Sequence, residues 1–247
     1  MILAFLFLLG TVLGSFYNVL TYRLPKGMSL LNPPSHCPRC KSKIRWYDNI
    51  PLVSYLLLRG KCRECGAPIP LSYPIVELSS GALAVLSYLR WGMSVDALIM
   101  YALFSALIVI SVIDMRHFIV PDRITLPGIA LGLVSSPLRE SFTFHQSLTG
   151  TLIGFLLPFL IYLYYVKFRK MEGLGFGDVK LLSMIGSMTG PYGVLSALFL
   201  GSAIGLVFAL PLVIKNRSIK FAIPFGPFLS AGCFLGVYLS EFFLNDL

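Results

Sequence analysis

Charged residues are scarce in this chain, and acidic residues are the scarcest. Only 13% of its 247 residues are charged, and 20 lysines and arginines outnumber the 11 acidic residues. Together with 56% hydrophobic residues and a mean hydropathy of +0.81, this excludes an ordinary soluble globular protein. The formal net charge of +9 is concentrated in a few loops. We therefore expect anionic membrane lipid, and not nucleic acid, to face these basic residues.

Eight apolar runs alternate with polar segments, and several are close to the roughly 20 residues that span a bilayer as a helix. We therefore predict an all-α polytopic membrane protein with about eight transmembrane helices. The fourth and sixth runs are short for spanning and contain Pro127 or Gly186 and Gly190. The runs lie near 2–22, 74–92, 95–114, 125–137, 146–166, 179–190, 191–214 and 223–243.

The basic residues predict the orientation of these helices. The first run lacks the basic start and the small-residue cleavage site of a signal peptide, so we expect a retained helix. Of the 20 lysines and arginines, 18 lie in the loops 23–73, 115–124, 167–180 and 215–220. The positive-inside rule places these loops in the cytoplasm and both termini outside. The expected segments are a first helix at 1–22, a cytoplasmic zinc-binding domain at 23–73 and a membrane core of about seven helices at 74–247.

The long loop contains four of the five cysteines, as Cys37-Pro-Arg-Cys40 and Cys62-Arg-Glu-Cys65. The C-x2-C-x21-C-x2-C spacing is typical of a tetrahedral four-thiolate zinc site, which is structural because no coordination position stays open for water. A loop of about 50 residues is too small to fold on a core of its own, so zinc would supply its folding energy. Two disulfides are the alternative, which the reducing cytoplasm disfavours.

Two aspartates stand where an apolar run meets a short polar loop, Asp114 in VISVIDMRHF and Asp178 in EGLGFGDVKLL. A carboxylate at a membrane boundary indicates function, because burying an unpaired charge is costly. Both are expected near the cytoplasmic face. Two neighbouring carboxyl groups there can share a proton and act as general base and general acid on a peptide bond. The alternative is that each aspartate only caps a helix.

Glycines precede the second aspartate in the run Gly173-Leu-Gly175-Phe176-Gly177-Asp178. They allow the backbone to approach a substrate closely or to take a positive φ. The run is not a dinucleotide fingerprint, since its spacing is G-x-G-x-G and no strand precedes it. Glu172 begins this loop and is a candidate partner for a basic substrate or for a nearby lysine.

Two further acidic residues are less clearly functional. Asp122, in VPDRIT, follows a proline and precedes a helix, so a capping or loop role is expected. Glu77, in YPIVELSS, lies near the start of the second apolar run. It is either a partner of the helix dipole or part of a site, and spacing alone leaves both interpretations open.

In six ordered blocks the sequence resembles the type IV prepilin peptidases, membrane aspartic proteases of the GxGD class also called leader peptidase/N-methyltransferases. The resemblance implies Asp114 and Asp178 as the catalytic pair, with Gly175, Phe176 and Gly177 completing the signature. The blocks are GSFYNVLTYRLP at 14–25, the cysteine region at 37–69, YPIVE at 73–77, the D-x7-D block with VPDRITLP at 114–127, EGLGFGDVKLL at 172–182 and IPFGPFL at 223–229.

The resemblance also implies a function. Such an enzyme of the bacterial inner membrane cleaves the basic leader of prepilins or pseudopilins after a glycine, at the cytoplasmic face. It then N-methylates the new N-terminus with S-adenosylmethionine as donor. No soluble fold for that donor is visible in the sequence, so its site would be built from helices and the zinc loop. The alternatives are a peptidase without methyl transfer and a non-enzymatic zinc-bearing membrane transporter or assembly scaffold.

Overall fold

The regular secondary structure of the described residues consists of helices. The computed structural model describes residues 1–30, 32, 34–140, 142–169, 174–216 and 223–244, and among these no β-strand forms. This confirms the predicted all-α class. The helices are α1 (Ile2–Arg23), α2 (Val53–Leu57), α3 (Ser72–Trp91), α4 (Val95–His117), α5 (Asp122–Ser135), α6 (Phe144–Tyr164), α7 (Phe176–Asn216) and α8 (Gly226–Leu244).

Four helical stretches within the described residues are both long enough and apolar enough to cross a membrane. A shorter apolar stretch lies in α8, at Gly226–Leu239. These helices agree with the predicted membrane protein, whereas the count of about eight crossings stays a prediction. The four stretches are Ile2–Arg23, Val95–His117, Phe144–Arg169 and Phe176–Pro211.

The longest helix, α7, is broken near its middle. Its 41 residues would measure about 62 Å at 1.5 Å per residue, about twice the hydrocarbon core of a bilayer. Gly190 interrupts the helical backbone with φ 72° and ψ −171°, a conformation that glycine adopts without a steric penalty, and Pro191 follows it. The break coincides with the boundary predicted between the sixth and seventh apolar runs.

The chain forms two compact units, residues 1–101 and 102–247. In the first unit α1 packs closely on α3. A Cβ atom on Gly10 would lie 2.7 Å from the Ser80 carbonyl oxygen, so only glycine permits this approach. The Ser80 hydroxyl donates a hydrogen bond of 2.7 Å to the Gly10 carbonyl. Small residues and an interhelical hydrogen bond are typical of helix pairs in membranes.

In the second unit, α4 and the first half of α7 supply much of the buried core. Ile110 and Ile113 of α4 and Leu181 and Ile185 of α7 are fully buried. Each of these residues lies within about two helical turns of Asp114 or Asp178. Their tight packing therefore fixes the C-terminal end of α4 and the N-terminal end of α7.

Candidate active site and metal centre

Asp114 and Asp178 lie at helix ends in the second unit. Asp114 is in the last turn of α4 and Asp178 in the first turn of α7. Their exposed fractions are only 5% and 8%. The two carboxyl groups are close enough for the charge of Asp114 to act on Asp178. A pair of buried, interacting carboxyl groups can hold one shared proton, which is the state that acid–base hydrolysis requires.

Gly226 contacts the candidate pair, although no sequence pattern singles it out. It is the first residue of α8, and its backbone N–H donates a buried hydrogen bond of 2.9 Å to Oδ2 of Asp114. The residue lies in the block IPFGPFL, so the resemblance contained a signal, but nothing in the sequence linked it to an aspartate 112 positions away.

Neither Gly175 nor Gly177, the two described glycines before Asp178, has a positive φ, so the environment of each Cβ position distinguishes them. A Cβ on Gly177 would lie 2.9 Å from the Cβ of Val120, in the loop after α4. A Cβ on Gly175 would lie 3.4 Å from Oδ2 of Asp178. Gly177 thus permits packing, whereas Gly175 leaves space beside the carboxyl group.

The remaining candidates of this region have different environments. Phe176 is 42% exposed, and its ring lies in edge or tilted contact with Phe159 and Tyr162 of α6. Asp122 begins α5 and forms an ion pair with Lys180, on the exposed side of the region. Glu172 lies outside the described residues.

The four predicted zinc ligands come together in the first unit, on two turns of matching structure. In one turn the Cys37 N–H donates to the Ser42 carbonyl at 2.9 Å. In the other the Cys62 N–H donates to the Ala67 carbonyl at 2.8 Å. An isolated β-bridge closes each turn. Two such turns present their four thiols to one point in space.

The second turn is held by an ion pair. The Arg63 guanidinium donates to both carboxylate oxygens of Asp48, at 2.6–3.2 Å, and lowers the pKa of that carboxyl group. Asp48 belongs to the short 3₁₀ helix Trp46–Asn49. The pair therefore ties the second cysteine turn to the segment between the two turns.

The geometry of the sulfur atoms fits zinc. All four Sγ atoms lie within 4.8 Å of one another, and the Cys37–Cys65 distance is 3.8 Å. With Zn–S bonds of about 2.3 Å, two ligands of a regular tetrahedron are about 3.8 Å apart. Hydrogen bonds with Ser42 lower the pKa of Cys40 to about 6, whereas burial and hydrogen bonds with the other three thiols raise the pKa of Cys65 to about 11. A metal needs the thiolate form of each ligand. All five cysteines are free thiols, contrary to the disulfide alternative.

Glu77, whose role the spacing left open, is 8% exposed in the second turn of α3. Its Oε2 accepts a hydrogen bond of 2.8 Å from the backbone N–H of Leu52. The Asn18 amide lies 3.5 Å from Oε1. Glu77 is therefore a buried hydrogen-bond acceptor for the backbone of the cysteine loop. It lies in the second turn of α3, too far from the N-terminus to interact mainly with the helix dipole.

Two protein-family models match this chain, one in each half. Residues 8–91 match the bacterial peptidase A24 N-terminal domain, and residues 101–210 match the type IV leader peptidase family. The chain belongs to the type IV leader peptidase family. The N-terminal match contains the cysteine centre and Glu77, and the second match contains both aspartates.

Named relatives are similar over nearly their whole length. A prepilin leader peptidase/N-methyltransferase of Burkholderia pseudomallei is 36% identical, over 93% of this chain and 83% of that protein. A type 4 prepilin-like proteins leader peptide-processing enzyme of Escherichia coli is 37% identical, over 95% of this chain and 93% of that protein. A prepilin leader peptidase/N-methyltransferase of Pseudomonas aeruginosa is 35% identical, over 90% and 85% respectively. No solved structure matches this chain.

Proposed function

We propose that this protein is a prepilin leader peptidase of the bacterial inner membrane, with Asp114 and Asp178 as its catalytic pair, and that it also N-methylates the new N-terminus. The observation that carries the proposal is the burial of two interacting carboxyl groups at helix ends in the region that matches the type IV leader peptidases. The names of the relatives support prepilins as substrates.

The chemistry of the pair is hydrolysis of the leader peptide bond. One carboxyl group is ionised and takes a proton from water while the water oxygen attacks the carbonyl carbon. The other is protonated and donates to the carbonyl oxygen. Collapse of the tetrahedral intermediate breaks the C–N bond, and the leaving amine takes a proton from the pair. The Gly226 N–H and the first turn of α7 stabilise the single negative charge throughout.

Access of a helical substrate requires water near the membrane surface, and the helices around the pair support this. The 14 residues of α5 measure about 21 Å, shorter than the roughly 30 Å core of a bilayer. The site lies at the ends of α4 and α7 and not at their centres. We propose that the hydrophobic helix of a prepilin enters from the lipid and places its leader junction at the aspartates. Glu172 is a candidate partner for the leader's lysines.

Zinc and the methyl donor have separate roles. Zinc bound by Cys37, Cys40, Cys62 and Cys65 would be structural, since four thiolates fill its coordination shell. S-Adenosylmethionine supplies an electrophilic methyl group. The neutral amine of the cleaved substrate forms a bond to the methyl carbon, the electron pair of the broken C–S bond stays on sulfur, and the nitrogen loses a proton.

The test is cleavage of a prepilin by purified protein in detergent, with labelled S-adenosylmethionine present. We expect Asp114→Asn and Asp178→Asn to lower cleavage by at least about a hundredfold, the usual worth of a positioned acid or base. Asp122→Asn is the matched control, because Asp122 is exposed and paired with Lys180. Melting curves and zinc content show that each variant is folded.

Three outcomes separate the alternatives. Full cleavage by folded Asp114→Asn and Asp178→Asn would mean that the aspartates are structural caps. Cleavage by wild type without label on the new N-terminus would leave a peptidase that lacks methyl transfer. Absence of both activities in folded wild type would favour a transporter or an assembly scaffold.

A further inference from the structure

The first unit contains a cavity of about 400 Å³ that the peptidase chemistry does not use. It is bounded by α1, by the start of α3 and by both cysteine turns. Ligand sites in proteins commonly measure about 300–1,000 Å³, so the cavity has the size for a small organic molecule and exceeds what a few waters fill. Its wall includes Cys37 and Cys62, which couples its shape to the metal centre.

Glu77 lines this cavity and is more than nine-tenths buried. Its hydrogen-bond partners are the Leu52 N–H and the side chains of Ser15 and Asn18, all of them neutral. Burial raises the pKa of the Glu77 carboxyl group, and among the described residues no ion pair with a lysine or arginine offsets this effect. A buried carboxylate beside a cavity, hydrogen-bonded but without a positive partner, favours a cationic ligand.

The backbone that holds Glu77 is strained. Leu52 has φ 60° and ψ −49°, a region that a leucine rarely occupies, and its N–H points to the Glu77 carboxylate. Strain of this kind clusters at ligand clamps, where surrounding contacts impose it. The hydrogen bond thus fastens the cysteine loop over α3 at the position where the cavity lies.

The other cavity residues indicate what kind of cation fits. Tyr22 and Tyr55 line the cavity and give it aromatic surface for an aromatic base, and the Lys26 ammonium lies over one face of the Tyr22 ring. Arg39 and Lys43, on the first cysteine turn, offer positive charge for a carboxylate. A ligand with a cation, an aromatic base and a carboxylate matches this set.

We propose that the cavity is the binding site for S-adenosylmethionine, with the sulfonium group beside Glu77. This inference rests on the proposed methyl transfer and adds to it the location of the donor site and the residue that recognises its charge. Methyl transfer converts the sulfonium to a neutral thioether, with the electron pair of the C–S bond left on sulfur. Glu77 therefore favours the donor over its product, and the released S-adenosylhomocysteine loses this attraction.

The experiment measures equilibrium binding of S-adenosylmethionine and of S-adenosylhomocysteine to the full-length zinc-loaded protein in detergent. The quantity compared is the ratio of the two affinities, because it isolates the sulfonium charge from all contacts that the ligands share. We expect Glu77→Gln to lower this ratio by about tenfold, equivalent to about 1.4 kcal/mol. Glu140→Gln, an exposed residue of the second unit, is the matched control.

A second variant covers the case in which Glu77→Gln disturbs the fold. Glu77→Asp keeps the charge, so it should retain most of the preference for the sulfonium. Prepilin cleavage and zinc content, measured on the same preparations, report on folding. A folded Glu77→Asp that shows no preference for the sulfonium would overturn the inference.

The outcomes distinguish this inference from the proposed function. If wild type transfers methyl groups and Glu77→Gln keeps the full ratio of affinities, the donor binds elsewhere and only the inference fails. If wild type cleaves prepilin but neither binds S-adenosylmethionine nor transfers methyl, the inference fails together with the methyl-transfer half of the function. Displacement of bound donor by a lysine-rich leader peptide, with an unchanged ratio in Glu77→Gln, would assign the cavity to the leader.

Discussion

The backbone N–H of Gly226 donates a buried hydrogen bond of 2.9 Å to Oδ2 of Asp114. Because Gly226 begins α8, the positive end of that helix also faces the carboxyl group. A Cβ at this position would lie 2.8 Å from the same oxygen and 3.4 Å from the Asp114 Cβ. A side chain at position 226 would therefore require the Asp114 carboxyl group to move, and the Gly226 backbone N–H orients that group.

The first prediction concerns this contact. Gly226→Ala should push the Asp114 carboxyl group out of place and lower kcat for prepilin cleavage by about a hundredfold, the effect of a displacement near 1 Å on a reacting group. KM should change much less, because substrate contacts elsewhere remain. Steady-state kinetics on a solubilised prepilin check this.

Gly205→Ala is the control for that substitution. A Cβ on Gly205, also in the second unit, meets only the Phe228 side chain at 3.5 Å or more, which is ordinary contact. It should cleave like wild type. Undiminished kcat in a folded Gly226→Ala would show that the hydrogen bond does not position Asp114 for catalysis.

The second prediction separates the two glycines before Asp178. Gly177→Ala should destabilise the protein by about 1–3 kcal/mol through overpacking against Val120. Val120→Ala removes the Cγ2 contact at 3.1 Å but keeps the Cβ contact at 2.9 Å, so it should restore only part of this loss, with a coupling energy of about 0.5–3 kcal/mol. Denaturation of the single and double variants in detergent measures the cycle.

Gly175→Ala should behave differently, because its Cβ would lie 3.4 Å from Oδ2 of Asp178 and 3.9 Å from the Gly177 backbone nitrogen, with no apolar side chain in contact. We expect an unchanged stability with reduced cleavage. Equal destabilisation by both alanine substitutions, without rescue by Val120→Ala, would contradict the distinction between a packing glycine and a site glycine.

The third prediction uses the likeness of the two cysteine turns. Lys41 and Gly66 occupy the same position in their turns, with φ 62° and 66°. A side chain in this left-handed region costs roughly 1–2 kcal/mol. Lys41→Gly should therefore stabilise the metal centre by about 1 kcal/mol, and Gly66→Ala should destabilise it by a similar amount.

Chelator competition for bound zinc measures these effects, because folding and metal binding of the loop are coupled. Lys41→Ala is the control, since it removes the charge but keeps the Cβ. It should match wild type in zinc retention. A gain in Lys41→Ala as large as that in Lys41→Gly would attribute the effect to charge and not to backbone strain.

Sequence patterns predicted the elements that depend on local order. Apolar runs predicted the helices, and the break at Gly190 falls where two runs adjoin. The paired C-x-x-C motifs predicted the four thiols that meet within 4.8 Å. These features are readable because the helical period, the glycine or proline break and the cysteine spacing are all short-range properties of the chain.

Contacts between distant segments could not be predicted in this way. Gly226 reaches Asp114 across 112 positions, and the Glu77 carboxylate binds the Leu52 N–H across 25. In both cases the donor is a backbone N–H, which every residue but proline carries. The residue type at that position therefore does not indicate the contact. Spacing alone leaves the role of Glu77 open for this reason, because its environment depends on the conformation of the cysteine loop.

The last prediction concerns removal of zinc. Both cysteine turns contribute to the wall of the cavity beside Glu77, whereas Asp114, Asp178 and Gly226 belong to the other compact unit. If zinc supplies the folding energy of the loop, as we propose, a chelator should unfold the cavity wall and weaken binding of S-adenosylmethionine by at least about tenfold. Prepilin cleavage should fall much less. To check this separation, S-adenosylmethionine binding and prepilin cleavage are measured on one preparation, first with increasing chelator and then after zinc is restored. Parallel loss of both activities would mean that the cysteine loop also supports the peptidase site.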